Sequence, residues 1–575
     1  MAKLVFASAV VAALASYGNV APYLDIMERA VSAYSDEHMA SYLAEAEMEG
    51  VQEHGFPRLT ANLGVLVANG RLKEKKDVLA RMMTASCRDA AKGKMKGWGG
   101  GNDFSVKELA IALRELERAK TYPADVLEGW KADLTRVVAE KSYSALHAVG
   151  DTKHSHNWCV FGAASEQARL ATGLGGDRAF VEKYVADQLR WFDEKGMWRD
   201  PQEPAVYDLV TRLQFAAILH YGYDGASKAK LEDAMDRGSE TALKLLSVCG
   251  EIPYGGRSNQ FLLNNTLYSA LCEWYAARFA ARGETAKARR FKAAAQKSLD
   301  ALQGWFSARP LRHVKNLYPQ DSGLGCEGYA YFNKYMVTMG SWAMMAREFA
   351  IDIPAEAQAT VPGVFETSPL FHWVFMEAGD YSAQFDYAAN LHYDCNGLGR
   401  IHRRGAPPQI CLSVPCAKDP AYRIAGTNRA SLAIAPVADG DLELVKREST
   451  ADCAMTEWKV GEQVWRCMLS AKGMEMTLSG PDEVALSLPV FEFDGESKTE
   501  IEAGTKRVAI SYRGWRCVYE TDGTIVRTAM PAENRNGRYV RFEARGRGTL
   551  RVKVAINQKS LSSCNAEIWE ERKIK

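Results

Sequence analysis

Residues 250–261 read GEIPYGGRSNQF and lie between two long segments whose apolar residues recur at helical spacing. A connector between packed helices needs only a few turn residues. This one adds a tyrosine, an arginine, an asparagine and a glutamine to a rigid backbone, which is typical of a small-molecule site. The plainer interpretation is that Gly255 and Gly256 shape a turn and that Arg257 caps a helix. The stretch by itself leaves both open, and its recurrence along the chain favours the first.

Connectors of this kind occur six times. Between residues 22 and 350 the sequence predicts twelve helices, near 22–48, 58–68, 74–90, 104–118, 124–141, 157–171, 179–195, 205–221, 227–248, 258–280, 285–306 and 328–350. Connectors after even-numbered helices are charged and turn-like. Those after odd-numbered helices carry aromatic, histidine or glycine residues, and they are 54–58, 97–104, 153–158, 197–208, 250–261 and 316–332. Because successive helices run up and down, all six rich connectors fall at one end of the layer, about every 50 residues.

Six helical hairpins with one decorated end predict a closed (α/α)6 toroid with a cleft at its mouth, over residues 20–365. An open solenoid is the alternative, but its binding residues would follow a concave face instead of one end. Beyond a linker near 351–370 the pattern changes to alternation, as in Val508, Ile510 and Tyr512. Such alternation indicates strands with one wet face, so residues 370–575 are predicted to form an antiparallel β-sandwich.

Composition narrows the class of protein. The chain has 575 residues, too many for one core, and a formal net charge of +1, which gives no support to a nucleic-acid partner. The 12 cysteines are scattered and form no CxxC pair, so we expect no disulfide scaffold, no metal and no cofactor. The sequence does not predict an oligomeric state.

The first residues, MAKLVFASAVVAALAS, combine one lysine with an apolar run that ends in small residues. That pattern predicts a signal peptide over 1–18 and a secreted or periplasmic protein. A buried N-terminal helix is the alternative, and the run is too short to span a bilayer.

Carboxylates on the rich connectors point to glycoside hydrolysis, which needs two of them facing each other across a sugar. We expect Asp208 and Glu327 to be the acid–base pair, with Asp103 in reserve. Glu327 precedes Gly-Tyr-Ala-Tyr-Phe, and burial among aromatic residues would raise its pKa as an acid requires. The structural alternatives are that Asp103 is the N-cap of a helix and that Asp208 only favours a helix dipole.

The other chemistry that fits is β-elimination from a uronic acid, which needs a base for the C5 proton and a donor to the carboxylate. His156, Asn157 and Tyr254 are of the right types. His154 and His156 also suggest a metal, but two histidines two residues apart provide only half a site.

Further residues of the rich connectors are predicted to bind substrate. Aromatic rings stack on sugars, amides read hydroxyl groups, and arginine forks match a carboxylate. For the arginines the alternative is a salt bridge at a helix end. The predicted binding residues are Arg58, Asn102, Asn157, Trp158, Arg212, Arg257, Asn259, Gln260, Tyr331 and, reaching the cleft from the sandwich, His402.

A toroid followed by a sandwich resembles the heparinase II/III-like class of carbohydrate-active proteins and the uronic-acid glycosidases built on six-hairpin toroids. The strings EHGFPRLTANLG (53–64), GEIPYGGRSNQF (250–261) and HYDCNGLGRIHRRGAP (392–407) are similar to those of bacterial heparinase-like proteins, and among glycoside hydrolases they resemble the β-glucuronidase group. In toroidal lyases an asparagine or histidine faces the uronate carboxylate and a tyrosine acts as acid or base. The resemblance implies those roles for His156, Asn157 and Tyr254.

The first hypothesis is therefore an exo-acting glycoside hydrolase that removes a glucuronic-acid-type sugar from an oligo- or polysaccharide. The second is a uronic-acid-specific polysaccharide lyase. The third is a non-catalytic glycan-binding protein, against which the carboxylates beside aromatic residues count weakly.

Overall fold

A computed structural model of the chain describes residues 20–52, 54–93, 95, 102–143, 157–307, 310–357, 360–422, 431–528 and 531–559. These residues form two compact units. The helical unit comprises the described residues up to Leu243, then Phe261–His313 and Ala330–Gln358. The β unit comprises Lys244–Gln260, Val314–Tyr329 and the described residues from 360 onward. The division is not contiguous, because two segments that lie between helices in the sequence belong to the β unit.

The helical unit is a closed ring of six inner helices with outer helices around it. In chain order the α-helices are α1 Ala21–Ser32, α2 Asp36–Glu49, α3 Phe56–Ala68, α4 Lys76–Lys92, α5 Val106–Arg118, α6 Ala124–Thr135, α7 Ala139–Ser142, α8 Asn157–Ala171, α9 Arg178–Gln188, α10 Ala205–His220, α11 Lys228–Leu245, α12 Leu263–Ala281, α13 Thr285–Gln303 and α14 Phe332–Phe349. Helices α3, α5, α8, α10, α12 and α14 each contact the next, and α14 contacts α3. The predicted (α/α)6 toroid is confirmed.

Outer helices pack on their neighbours in sequence, with α4 on α3, α6 on α5, α9 on α8 and α13 on α12. The inner helices are apolar on most sides, as helices enclosed by others must be. In α12, for example, every residue from Leu263 to Ala276 is buried. None of the helices in the described ranges has the length and hydropathy that a membrane crossing requires.

Several predicted helices are divided or shortened in the structure; the one expected near 124–141, for example, is divided into α6 and α7. The helix expected near 22–48 is divided into α1 and α2, because Ser35 is extended (φ −67°, ψ 164°) and its side chain accepts the N–H of His38 as an N-cap. The helix expected from 258 begins only at Leu263, since Ser258 and Gln260 have φ of 60° and 62°, outside the helical region.

The β unit consists of two antiparallel sheets. Its strands are β1 Gly363–Glu366, β2 Trp373–Ala378, β3 Tyr381–Asp386, β4 Gly397–Arg403, β5 Ala435–Pro436, β6 Glu443–Ser449, β7 Cys453–Val460, β8 Gln463–Ser470, β9 Gly473–Phe493, β10 Glu500–Ala503, β11 Arg507–Tyr512, β12 Trp515–Thr521, β13 Thr524–Arg527, β14 Ala532–Glu533 and β15 Arg538–Gln558. One sheet has the order β1-β2-β3-β4, and the other β10-β11-β12-β15-β9-β8-β7-β6. In the second sheet β13 and β14 also pair with β15, and β5 pairs with β9.

The two sheets enclose a shared apolar core, as in a sandwich. The ring of Phe385 on β3 stacks on Trp458 of β7 at 5.0 Å between centroids and meets Trp465 of β8 edge-on at 5.7 Å. Alternating residues of β15, such as Val552, Val554 and Ile556, complete the core from the large sheet. The predicted β-sandwich is confirmed.

Candidate active site

Two buried carboxylates bind the backbone of one turn in the β unit. An oxygen of Glu327, Oε1, accepts the N–H of Ser258 at 2.5 Å, and Oδ2 of Asp394 accepts the N–H of Gly256 at 2.6 Å. Gly256 and Ser258 have φ of 72° and 60°, so the turn departs from helix and strand and directs both amides toward the acids. The two carboxylates are only 4% and 1% exposed.

A buried arginine holds this turn and one of the acids. Nη2 of Arg535 lies 2.9 Å from Oε1 of Glu327 and donates to the carbonyl of Gly256 at 3.4 Å. Nη1 donates to the carbonyl of Asn259 at 3.3 Å, and the guanidinium lies 4.1 Å from the centre of the Tyr422 ring. The second carboxylate oxygen of Glu327, Oε2, is buried and has no hydrogen-bond partner. One oxygen of Glu327 is therefore fixed, and the other is an acceptor that a reacting group could use.

The environment of Asp394 favours its protonated form. Burial raises the pKa of Asp394 to about 7, and the nearby carboxylates of Asp386 and Glu327 act in the same direction. The N–H of Gly256 and the charge of Arg535 oppose the shift without cancelling it. A carboxyl that still carries its proton near neutrality can act as a general acid. Paired carboxyls in contrasting environments are what acid–base hydrolysis requires.

The site reaches solvent directly after Glu327. Gly328 and Tyr329 are exposed, and a β-carbon placed on Gly328 would meet no atom within 4 Å. The hydroxyl of Tyr329 shares a hydrogen bond of 3.0 Å with Oγ of Ser258. The residue that follows the buried Glu327 therefore borders open space.

Tyr254 belongs to the same loop, and its side chain is fully buried. Its hydroxyl donates to the carbonyl of Gln384 at 3.2 Å, and the Gln384 side chain is bonded to both the N–H and the C=O of Tyr254. Burial raises the pKa of Tyr254 well above 10, and the carboxylates of Asp386 and Asp394 add to the effect. Only glycine fits opposite the ring, because a β-carbon on Gly399 would lie 2.3 Å from it. Tyr254 thus anchors the loop to β3 and β4.

A layer of buried charge lies beneath Tyr254. Lys315 and Glu251 form an ion pair, and Nη2 of Arg400 donates to the carbonyl of Ile252 at 2.6 Å. His402 lies between the hydroxyls of Ser247 and Ser413, at 3.1 and 3.3 Å. Burial, with Arg400 and Lys315, lowers the pKa of His402 well below its usual value, so this imidazole is neutral.

The remaining predicted residues of this loop differ in exposure. Arg257 is half-buried, whereas Asn259 and Gln260 are buried. The amide of Gln260 donates to Oδ1 of Asn259 at 3.1 Å and accepts from Nδ2 of Asn536 at 3.1 Å. These amides bind one another and Asn536, and so they hold the loop in place.

Several predicted residues belong to the helical unit, where Asp208 and Arg212 form a salt bridge. Nε and Nη2 of Arg212 donate to the carboxylate at 2.9 and 2.5 Å, and both side chains are fully buried. Asp208 also accepts the N–H of Trp198 at 2.6 Å. This is the helix-end alternative considered for Arg212, and Asp208 is left out of the proposed mechanism.

Arg58 is also enclosed. It pairs with Glu108 at 3.2 Å, donates to Thr338 at 2.7 Å and packs over the rings of Phe104 and Trp342. The side chain is 1% exposed, so the protein itself encloses this guanidinium.

The predicted residues before α5 and α8 are mostly buried. Asn102 donates to the carbonyl of Ala90 at 2.8 Å, and the Asp103 carbonyl accepts from Ser165 at 3.3 Å. Asn157 donates to Asp200 at 3.0 Å. Of the other predicted residues here, Trp158 is half-buried and Tyr331 is 50% exposed. His156 lies outside the described residues. That the six connectors share one cleft stays a prediction.

Two residues of the carboxylate site were missed by sequence reasoning. Asp394 stands in the string HYDCNGLGRIHRRGAP, from which only His402 was predicted to bind substrate. Arg535 precedes Asn536-Gly537, a pair typical of a hairpin turn. The available signal was the density of Asn, Arg and Gly over 534–538, more than a hairpin turn needs. Among the described residues, no group of three His, Cys, Asp or Glu side chains could hold a metal ion.

No known protein family matches the sequence, and no curated protein does either. Solved structures that the chain is similar to include a heparinase III, at 8% identity and a TM-score of 0.36 over 91% of this chain and 88% of that one. A heparan sulfate lyase of Pedobacter heparinus has 9% identity and a TM-score of 0.36, over 88% and 93%. A GH127 β-L-arabinofuranosidase of Geobacillus stearothermophilus has 11% identity and a TM-score of 0.35, over 94% and 99%. They include heparinase III, of the class that the sequence resembles.

Proposed function

We propose that the chain is a carbohydrate-active enzyme, a glycoside hydrolase that removes a glucuronic-acid-type sugar from a glycan. The observation that supports this is the pair Glu327 and Asp394 on the 256–258 turn. One has a pKa raised to about 7, the other has an oxygen without a partner, and open space adjoins them at Gly328.

In the proposed reaction Asp394 donates its proton to the glycosidic oxygen as the bond to the anomeric carbon breaks. Glu327 Oε2 either takes a proton from water that attacks the anomeric carbon, or attacks that carbon itself to form a glycosyl ester. Water then hydrolyses the ester and returns its proton to Asp394. The separation of the carboxylates in the bound state decides between the two routes. Arg535 stays bound to Oε1 throughout and fixes the orientation of the carboxylate. This assigns the acid to Asp394, and Glu327 becomes its partner in place of the acid role expected from the sequence.

The preference for an acidic sugar rests on Arg257. It is the half-buried cation of the 256–258 turn, and a guanidinium matches a carboxylate in geometry and charge. The side chains of Arg400 and Lys315 are buried, whereas that of Arg257 is partly exposed. We therefore assign Arg257 to the uronate.

The lyase hypothesis loses support at Tyr254. A tyrosine that takes the C5 proton works best when its pKa is lowered toward the working pH. Burial raises the pKa of Tyr254, and its hydroxyl donates to a backbone carbonyl instead of facing open space.

The test is one incubation of uronic-acid oligosaccharides with two readouts. Hydrolysis adds water to the products, whereas elimination produces a conjugated double bond that absorbs in the ultraviolet. We expect hydrolysis, which Glu327→Gln lowers by about 10²–10⁴-fold while Tyr254→Phe changes it far less. Unsaturated product that disappears in Tyr254→Phe would replace the hydrolase with a lyase. Binding without any product would leave a glycan-binding protein.

A further inference from the structure

The turn after Glu327 keeps an aromatic ring at the surface of the β unit. Tyr329 is 40% exposed, and its hydroxyl is bonded to Oγ of Ser258 at 3.0 Å. The N–H of the same serine binds Glu327 at 2.5 Å. Tyr329 is therefore held at a defined position beside the carboxylate, outside the apolar core of the β unit.

The space next to this ring is open. Gly328 separates Glu327 from Tyr329, and a β-carbon there would meet no atom within 4 Å. The φ angle of Gly328 is negative, so its backbone conformation does not require glycine. An exposed ring that borders open space beside a buried carboxylate suits a sugar, since one face of a pyranose is apolar and its hydroxyls can remain hydrated.

We propose that the open space over Gly328 is a sugar subsite on the leaving-group side of the scissile bond, with the Tyr329 ring as its stacking surface. This rests on the proposed hydrolase function. The carboxylate of Glu327 is buried, and the exposed Tyr329 is bonded to the same serine as Glu327, so we place the path of the glycan from Glu327 to solvent beside Tyr329. The ring then contacts the sugar that follows the bond being broken.

Two substrates separate this subsite from the rest of the site. One is an oligosaccharide with a terminal glucuronic acid, and the other is a glucuronyl fluoride, whose leaving group is too small to occupy a sugar subsite. Tyr329→Ala should lower the ratio of kcat/KM for the oligosaccharide to that for the fluoride by about tenfold or more, the effect of losing one aromatic contact. Tyr329→Phe keeps the ring and should hold that ratio within about threefold.

A second pair of variants tests the space itself. Gly328→Trp fills it and should exclude the oligosaccharide much more than the fluoride. Gly129→Trp is the matched control, at an exposed glycine of α6 that likewise has no atom within 4 Å of an added β-carbon. It should behave as the wild type with both substrates.

Other outcomes overturn the proposal. If Tyr329→Phe and Ser258→Ala lower turnover of both substrates equally, Tyr329 only positions Ser258. If the wild type hydrolyses but Tyr329→Ala keeps the substrate ratio, the subsite is wrong and the hydrolase stands. If the wild type hydrolyses nothing, calorimetry compares the affinity of the wild type and of Tyr329→Ala for the oligosaccharide. Binding about tenfold weaker in Tyr329→Ala would keep Tyr329 as a sugar-stacking residue of a glycan-binding protein while the hydrolase, and with it the leaving-group position, fails. Equal binding rejects both.

Discussion

Replacement of Asp394 by asparagine tests the assignment of the acid through stability as well as through activity. The amide has the shape of a protonated carboxyl, and its oxygen can still accept the N–H of Gly256, which now lies 2.6 Å from Oδ2. At a pH low enough for Asp394 to be protonated in both the folded and the unfolded wild type, the two proteins should have similar free energies of unfolding.

The difference should grow with pH. The pKa of Asp394 is about 7 in the folded protein against a reference of 3.8, so between these values the folded state holds a proton that the unfolded chain has released. Stability is fully present below the unfolded pKa and falls as pH rises through the folded pKa. A shift of about three units at 1.36 kcal/mol each corresponds to about 4 kcal/mol over the whole window. Between about pH 5 and about pH 8 the wild type should lose about 3 kcal/mol that Asp394→Asn keeps.

Urea unfolding of both proteins at these two pH values measures the difference. Asp380→Asn, at a side chain that is 58% exposed on the same unit, sets the baseline for exchanging one aspartate. We expect Asp394→Asn to gain on the wild type as pH rises, while its hydrolysis falls by about 10²–10⁴-fold. A difference that does not change with pH, or that reverses in sign, would refute the raised pKa and remove Asp394 as the proton donor.

The kcat/KM of the wild type should decline as pH rises through about 7, because Asp394 then loses the proton that its proposed role requires. A kcat/KM profile without that limb argues for another acid. Arg212→Met leaves the buried carboxylate of Asp208 without its partner and should cost about 3–5 kcal/mol of stability, read from thermal unfolding, so an unchanged Tm would mean that the salt bridge is not formed in solution. Gly399→Ala places a β-carbon 2.3 Å from the Tyr254 ring and should cost about 1–3 kcal/mol, and a neutral effect would show that the loop is not held as described.

The sequence by itself determined the elements that depend on local pattern. Helical spacing predicted the inner and outer helices of the toroid, and alternation predicted the strands of the sandwich, because both patterns report which side of an element is buried. It also identified the 250–261 loop and Glu327 from residues that a simple connector does not need. Asp208 and Arg212, four residues apart on α10, could already be recognised as a helix-face pair.

Only the tertiary structure decided which residues meet. Asp394 and Arg535 lie more than 100 residues from the loop in the sequence, and no periodic pattern links them to Gly256 or to Glu327. The loop itself belongs to the β unit although helices flank it in the chain. Burial then raised the pKa values of Asp394 and Tyr254, because the free energy of ionising a group depends on what surrounds it in space. A sequence records neighbours along the chain, whereas pKa values and hydrogen bonds depend on neighbours across the fold.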